Sequence, residues 1–162
     1  MIHSLPNPQV VDQAVVYADG IRDIGQARAD ASAAAAMRTA IDEARTAGES
    51  LGGVFAVCAE GAVPGLGGYA EARVRLDARL TAALMSIPAI KGVEVGDGFA
   101  AAERPGSLVH DEIVRGEDGM PRRATNRAGG IEGGMTNGET VLLRAAMKPI
   151  STTLNPLDSV DL

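Results

Sequence analysis

Apolar residues recur at helical spacing over 31–47, where Ala33, Met37, Ala40, Ile41 and Ala44 form one stripe and Arg38, Asp42 and Arg45 fall outside it. That spacing predicts an amphipathic helix. Asp30 can cap its start, and Gly48 supplies the left-handed position that ends helices. The run 51–59 is apolar and partly β-branched, stops before Gly61, and reads as a buried strand. A second helix is expected over 76–87, with Leu76, Leu80, Ala83, Leu84 and Ile87 on one face. Pro88 cannot continue it, lacking an N–H and clashing with the preceding turn. Alternation then predicts a strand over 90–95. Residues 112–114, the turn 116–119 and the stretch after Met120 read as a hairpin, and 140–147, apolar except for Arg144, as a last strand. The order α, β, α, β, β, β suits an α+β fold of mostly antiparallel strands layered with helices. Residues 1–30, with Pro6, Pro8 and weak periodicity, are expected to be an irregular lead-in to a unit at 31–162.

Composition narrows the function classes. A chain of 162 residues is long enough for one domain with a real core, and 46% hydrophobic with 22% charged residues is globular. The net charge of −6 argues against bulk affinity for nucleic acid or an anionic membrane. Aromatics at 2% nearly exclude a base-stacking platform. The single cysteine, Cys58, excludes an internal disulfide framework and a cysteine-built zinc site, and reads as a small core hydrophobe. Neither a secretory leader nor an apolar run near the ~18 residues of a membrane span is visible, so a soluble cytoplasmic protein is the default.

Glycine and charge point to a local site. Five of the twenty glycines fall in the ten residues from Gly129 to Gly138. Between Met120 and Thr153, Arg122, Arg123, Arg127, Arg144 and Lys148 stand against Glu132 and Glu139, a surplus of three positive charges inside an acidic chain. Closely spaced glycines can turn successive N–H groups into one concavity, an anion nest. Lys148 would add a point charge, and Ser151, Thr152 and Thr153 three hydroxyl donors, a combination suited to a phosphate monoester. Neither common nucleotide-loop signature is present. A pair of tight turns and a polar loop explains the same residues equally well. Val63-Pro-Gly-Leu-Gly-Gly68 reads as a structural turn, and so does Asp97 between Gly96 and Gly98. His110-Asp111-Glu112 reads as a solvated hairpin shoulder, and His3 lies in the lead-in. No catalytic residue and no metal ligand is assigned.

Lys91-Gly-Val-Glu-Val-Gly-Asp-Gly-Phe99, Asn126-Arg-Ala-Gly-Gly-Ile-Glu-Gly-Gly-Met-Thr-Asn-Gly138 and Ala146-Met-Lys-Pro-Ile-Ser-Thr152 together resemble chorismate synthase. Leu51-Gly-Gly-Val54, Pro64-Gly-Leu-Gly67 and Leu76-Asp-Ala-Arg-Leu80 follow the order that family shows, and the resemblance covers about 31–162, with 1–30 matching poorly. It implies a shikimate-pathway lyase converting 5-enolpyruvylshikimate 3-phosphate to chorismate and phosphate, a redox-neutral 1,4-elimination that requires reduced FMN, with NADPH as a reductant in the full system. It implies a sandwich of helices between antiparallel sheets and a homotetramer.

Carried over motif by motif, the implied flavin contacts are Pro88 and Ala89 after the second helix, Gly133 in the glycine loop, and Lys148, Pro149, Ile150, Ser151 and Thr152. Asn or Gln is commoner in the family where Pro88 stands, so a backbone contact survives there and a side-chain amide contact does not. The family's acid histidines and its substrate-binding arginines have no matching motif here. The chain therefore reads as a central segment of the enzyme, inactive alone and prone to self-association. The alternative reading is a catalytically inactive structural or oligomerisation module that retains a phosphate-binding glycine loop.

Overall fold

The computed structural model describes residues 10–17 and 31–160. Its centre is a four-stranded sheet in the order β1 (Val10–Tyr17), β2 (Gly52–Ala59), β8 (Val141–Met147), β3 (Ile90–Val95). β8 runs antiparallel to both its neighbours, with Val57 opposite Leu143 on one side and Val95 opposite Leu143 on the other. β1 is the exception, lying parallel to β2 with Val10 opposite Gly52. Two short antiparallel hairpins complete the β structure: β4 (Ile113–Arg115) with β5 (Pro121–Arg123), and β6 (Ile131–Glu132) with β7 (Met135–Thr136). The helices are α1 (Ala31–Thr46), α2 (Leu76–Met85) and the single turn α3 (Phe99–Ala102), followed by a 3-10 turn at Gly106–Leu108.

The α+β class and the predominance of antiparallel pairs agree with the sequence pattern. Ile90–Val95 is a strand with the expected ends, and the remaining predicted elements differ by a residue or two. Four differences have physical causes. The irregular lead-in contains a strand, β1, whose Val10, Val11, Val15, Val16 and Tyr17 favour the extended chain and which pairs with β2. The rest of that lead-in, with His3, Pro6, Pro8 and the Asp30 cap, lies outside the described residues. β2 is half-buried throughout rather than buried, because α2 lies over β3 and β8 and leaves β2 less covered. On α1, Met37, Ala40 and Ala44 are half-buried while Ile41 is 54% exposed, so that stripe has little cover among the described residues. The β6–β7 hairpin has two-residue strands, below the length at which alternation is readable.

The core sits where α2 meets the middle of the sheet. Ile131, Val141 and Leu143 are buried together, and Leu76, Leu80 and Leu84 of α2 pack on them with Val93 and Val95 of β3. These α2 residues are four apart and so share one helix face. Ala83 is exposed and Ile87 lies beyond the helix end, so the stripe is narrower than predicted. Leu143, 2% exposed, is the largest fully buried side chain among the described residues. Leu143→Ala should lower stability by about 2–5 kcal/mol, the lost transfer energy plus a cavity between α2 and the sheet. Urea unfolding of the complete protein carrying the change checks this, and a loss below about 1 kcal/mol would mean that the core lies elsewhere.

Candidate functional site

The predicted site residues fall at two places. At one end of the sheet, β8 leaves at Met147 and continues as Lys148-Pro149-Ile150-Ser151-Thr152. The Lys148 N–H donates to the Ala89 carbonyl at 2.9 Å, which brings the Pro88–Ala89 pair beside this loop. α2 ends at Met85 and β3 begins at Ile90, so the chain must reverse within four residues. Ala89 completes the reversal at φ +71°, a conformation that costs a residue with a Cβ about 1–2 kcal/mol. It is the only such non-glycine position among the described residues. Strain of this kind persists where the surroundings over-determine it; here the neighbouring strand exit does so.

Lys148, Pro149, Ile150, Ser151 and Thr152 are all exposed. Among the described residues the Lys148 ammonium has no ion pair, and the Ser151 and Thr152 hydroxyls have no hydrogen-bond partner. Thr153, counted as a third donor from sequence, instead donates its hydroxyl to the Asn155 carbonyl at 2.6 Å. The loop lies against the turn between α1 and β2, and the two bound a groove of about 340 Å3 lined by Ile41, Arg45, Leu51, Ile150, Thr152 and Leu154 among others.

The glycine-rich segment lies at the opposite end. Its nest exists, but it holds a carboxylate of the protein itself. Asp111 Oδ1 accepts the Thr125 hydroxyl and the Arg127 N–H at 2.8 Å, and Oδ2 accepts the Ala128 N–H at 2.9 Å. Burial pushes the Asp111 carboxyl up. The Thr125 hydroxyl, the Ala128 and Arg127 N–H groups and the Arg127 charge together outweigh burial and hold it below the usual Asp value. The expected solvated shoulder at 110–112 is therefore corrected at Asp111, which closes the nest from outside. A contact between residues this far apart in sequence leaves no local spacing signal.

Gly133 sits in the β6–β7 turn at φ +58°, exposed, with no atom within 4 Å of where a Cβ would stand. Its neighbour Gly134 accepts the Leu76 N–H at the start of α2, whereas Ala89 and Lys148 lie beyond the end of α2. The length of α2, about 15 Å, separates the two places, so one phosphate group cannot touch both.

The positive surplus is also mostly spent inside the chain. Arg122 pairs with Asp118 at 2.9 Å, and Arg123 grips Glu132 through both nitrogens of its fork, with Nε 3.0 Å from Oε1. Arg144 meets Glu94 at 2.8 Å across the sheet, and Arg127 donates to the Leu108 carbonyl. Among the five basic residues of 120–153, only Lys148 is left with its charge uncommitted to a described group. A lysine with two free hydroxyls is a set of hydrogen-bond donors and suits an anionic oxygen ligand.

Fold and loop together define an α+β chain with a cationic, donor-rich loop at one end of its sheet. Comparison gives the family. The chorismate synthase family model matches residues 11–162. The chorismate synthase of Beutenbergia cavernae is 57% identical over 157 residues, 97% of this chain and 38% of that protein. That of Rubrobacter xylanophilus is 62% identical over 126 residues, 78% of this chain and 32% of that protein. A crystal structure of chorismate synthase superposes with a TM-score of 0.67 at 54% identity, covering 70% of this chain and 34% of that one. The chain belongs to the chorismate synthase family and spans less than two fifths of the length of these relatives. The family match begins at residue 11, so the poor match expected for 1–30 is corrected over most of that stretch.

Asp111→Asn should destabilise the protein by about 1–3 kcal/mol, because a neutral amide offers one acceptor where the carboxylate takes three donors. The native carboxyl titrates below its ordinary value near 3.8. Its contribution is therefore complete above that value and is lost as pH falls through the lower folded value. Unfolding midpoints of the two proteins should differ at pH 7 and draw together as pH falls through the native carboxyl's titration; a constant difference would show that the carboxylate charge is immaterial.

Proposed function

We propose that the protein to which this segment belongs converts 5-enolpyruvylshikimate 3-phosphate to chorismate and phosphate in the cytoplasm, using reduced FMN, and that this segment supplies part of the flavin site. Membership of the chorismate synthase family supports the reaction. The observation that carries the flavin assignment is the exposed loop at Lys148, whose side-chain donors at Lys148, Ser151 and Thr152 have no acceptor among the described residues, while the four arginines of 120–153 are engaged by other groups.

The donor set fits the FMN phosphate. Lys148 would hold it by charge, Ser151 and Thr152 by their hydroxyls, and Pro149 would stiffen the loop between them. Pro88 and Ala89 adjoin this loop through the Lys148–Ala89 hydrogen bond, so they would border the same ligand through their backbone. Gly133 would meet a different part of the cofactor, or of the substrate, from the part Lys148 holds. When bound, reduced FMN would supply the electron-rich ring that assists departure of the substrate's phosphate. No described acid lies in this loop to move a proton, so proton transfer is assigned to residues elsewhere in the protein. NADPH would serve as the reductant of the flavin.

The same reading includes a homotetramer. Phe99, Ile113 and Met120 are large apolar residues 79%, 62% and 61% exposed, and a partner surface is one use for such residues. No helix among the described residues is long and apolar enough to cross a membrane.

In the complete enzyme, Lys148→Ala should weaken FMN binding roughly tenfold to a hundredfold, the equivalent of about 1.5–3 kcal/mol for a charge-assisted contact. Arg122→Ala is the control. Its guanidinium is exposed and already paired with Asp118, where a charge contributes little. Flavin fluorescence titrations decide between them, and equal affinities for the two variants would remove Lys148 from the site.

A further inference from the structure

The loop that carries Lys148 is braced by a part of the chain with no assigned role. Ser50, in the turn between α1 and β2, donates its hydroxyl to the Ile150 carbonyl at 2.6 Å. Two residues along, Gly52 lies so close to the loop that a Cβ there would stand 2.5 Å from the Met147 carbonyl oxygen and 3.0 Å from Pro149 Cδ. Beyond the loop, the Leu154 N–H donates to the Gly48 carbonyl at 2.9 Å. Asn155 Nδ2 reaches the Ala47 carbonyl at 3.0 Å and Glu49 Oε1 at 2.6 Å. A Cβ on Gly48, at φ +73°, would come within 3.1 Å of Leu154 Cβ. The loop is thus held at three points: at its root by the Lys148–Ala89 bond, in its middle by Ser50, and at its far end by the end of α1.

From this geometry we infer that Ser50 and Asn155 are positioning residues for the proposed phosphate loop, acting through its backbone and touching no ligand themselves. The inference rests on the flavin reading above. Its physical basis is that an exposed loop with rotatable donors must lose conformational freedom when it closes on an anion. Bonds that order the backbone before the ligand arrives reduce that cost. Ser50 is placed to do this because Ile150 stands between Lys148 and the two free hydroxyls. Holding its carbonyl fixes which way Ser151 and Thr152 leave the strand. Gly52 makes the arrangement possible by giving Met147 and Pro149 room to pass.

The test uses the complete enzyme with FMN as the titrant. Ser50→Ala should weaken FMN binding about three- to tenfold, the loss of one ordering hydrogen bond, and Ser50→Thr should restore it to within about twofold. In the Lys148→Ala background the Ser50→Ala loss should shrink, because the loop then has less to aim. Unchanged affinity in Ser50→Ala, or an equal loss in both backgrounds, overturns the proposal. Amide hydrogen exchange of the flavin-free protein supplies the second measurement. Exchange at Leu154 should quicken in Ser50→Ala and in Asn155→Ala and stay unchanged in Lys148→Ala; no change in the first two overturns the bracing itself. If Lys148→Ala leaves FMN affinity intact while exchange at Leu154 quickens in Ser50→Ala and Asn155→Ala, the flavin reading fails and the positioning role fails with it, and the brace is then purely structural.

Discussion

Burial of one face of β8 governs the arrangement of everything else. β8 is flanked on both edges, so its backbone groups are satisfied by β2 and β3, and its Val141 and Leu143 side chains pack in one cluster with Leu76, Leu80 and Leu84 of α2. Val141, Leu143 and Ala145, alternate residues on one face, are 4%, 2% and 1% exposed. Because side chains alternate across a strand, a slip of one residue would turn Leu142, Arg144 and Ala146 into that core. Arg144 makes such a slip prohibitive, since its guanidinium would be buried away from Glu94. Register therefore fixes the two ends of β8, roughly 20 Å apart. Lys148 emerges at one end and the glycine-rich turns abut the other.

The second constraint is close backbone approach at the glycine end. A Cβ on Gly96 would stand 2.0 Å from the Arg127 carbonyl oxygen, and one on Gly129 would stand 2.4 Å from the Gly96 nitrogen. Only residues without side chains can fill both positions, so the turn after β3 and the turn before β6 form one packed unit. The Asp97 N–H donates to the Arg127 carbonyl at 2.8 Å and the Gly96 N–H to the Leu142 carbonyl at 2.9 Å, tying that unit to β8. Asp111 then neutralises the outward N–H groups of 127 and 128. In this chain the glycine cluster builds a joint rather than an open phosphate cradle.

These facts show why part of the fold was legible in the sequence and part of the site was not. α2, β3 and β8 carry their own periodicity, and Pro88 marks a break that the structure respects. Local residue types singled out Lys148, Ser151 and Thr152 as donors, the family resemblance fell on the same loop, and the structure shows that loop exposed. What local pattern could not show is which donors were already taken. Thr153 looked identical to Ser151 and Thr152 until Asn155 folded back upon it. Four arginines counted as a positive field until their partners, Asp118, Glu132, Glu94 and the Leu108 carbonyl, came within reach from other elements. β1 was not legible because Pro6, Pro8 and Gly20 around it point toward an irregular segment, although Val10, Val11, Val15 and Val16 are strand formers.

The uneven use of cations carries a last consequence for how an anion could be held. Arginine presents a planar fork that a carboxylate can satisfy at two points, and Glu132 takes Arg123 in that way. Lysine is a point charge on a flexible stem, cheaply left in water. A chain with net charge −6 also opposes an approaching dianion at long range, although salt at physiological strength screens that repulsion beyond about 8 Å. Attraction at the Lys148 loop must therefore be short-range, arising from donors that already point at the ligand when it comes within hydrogen-bond distance. A single flexible ammonium cannot supply that alone. Its usefulness depends on the backbone that carries it, which hydrogen bonds tie to Ala89 at its root and to the turn at 47–52 beyond.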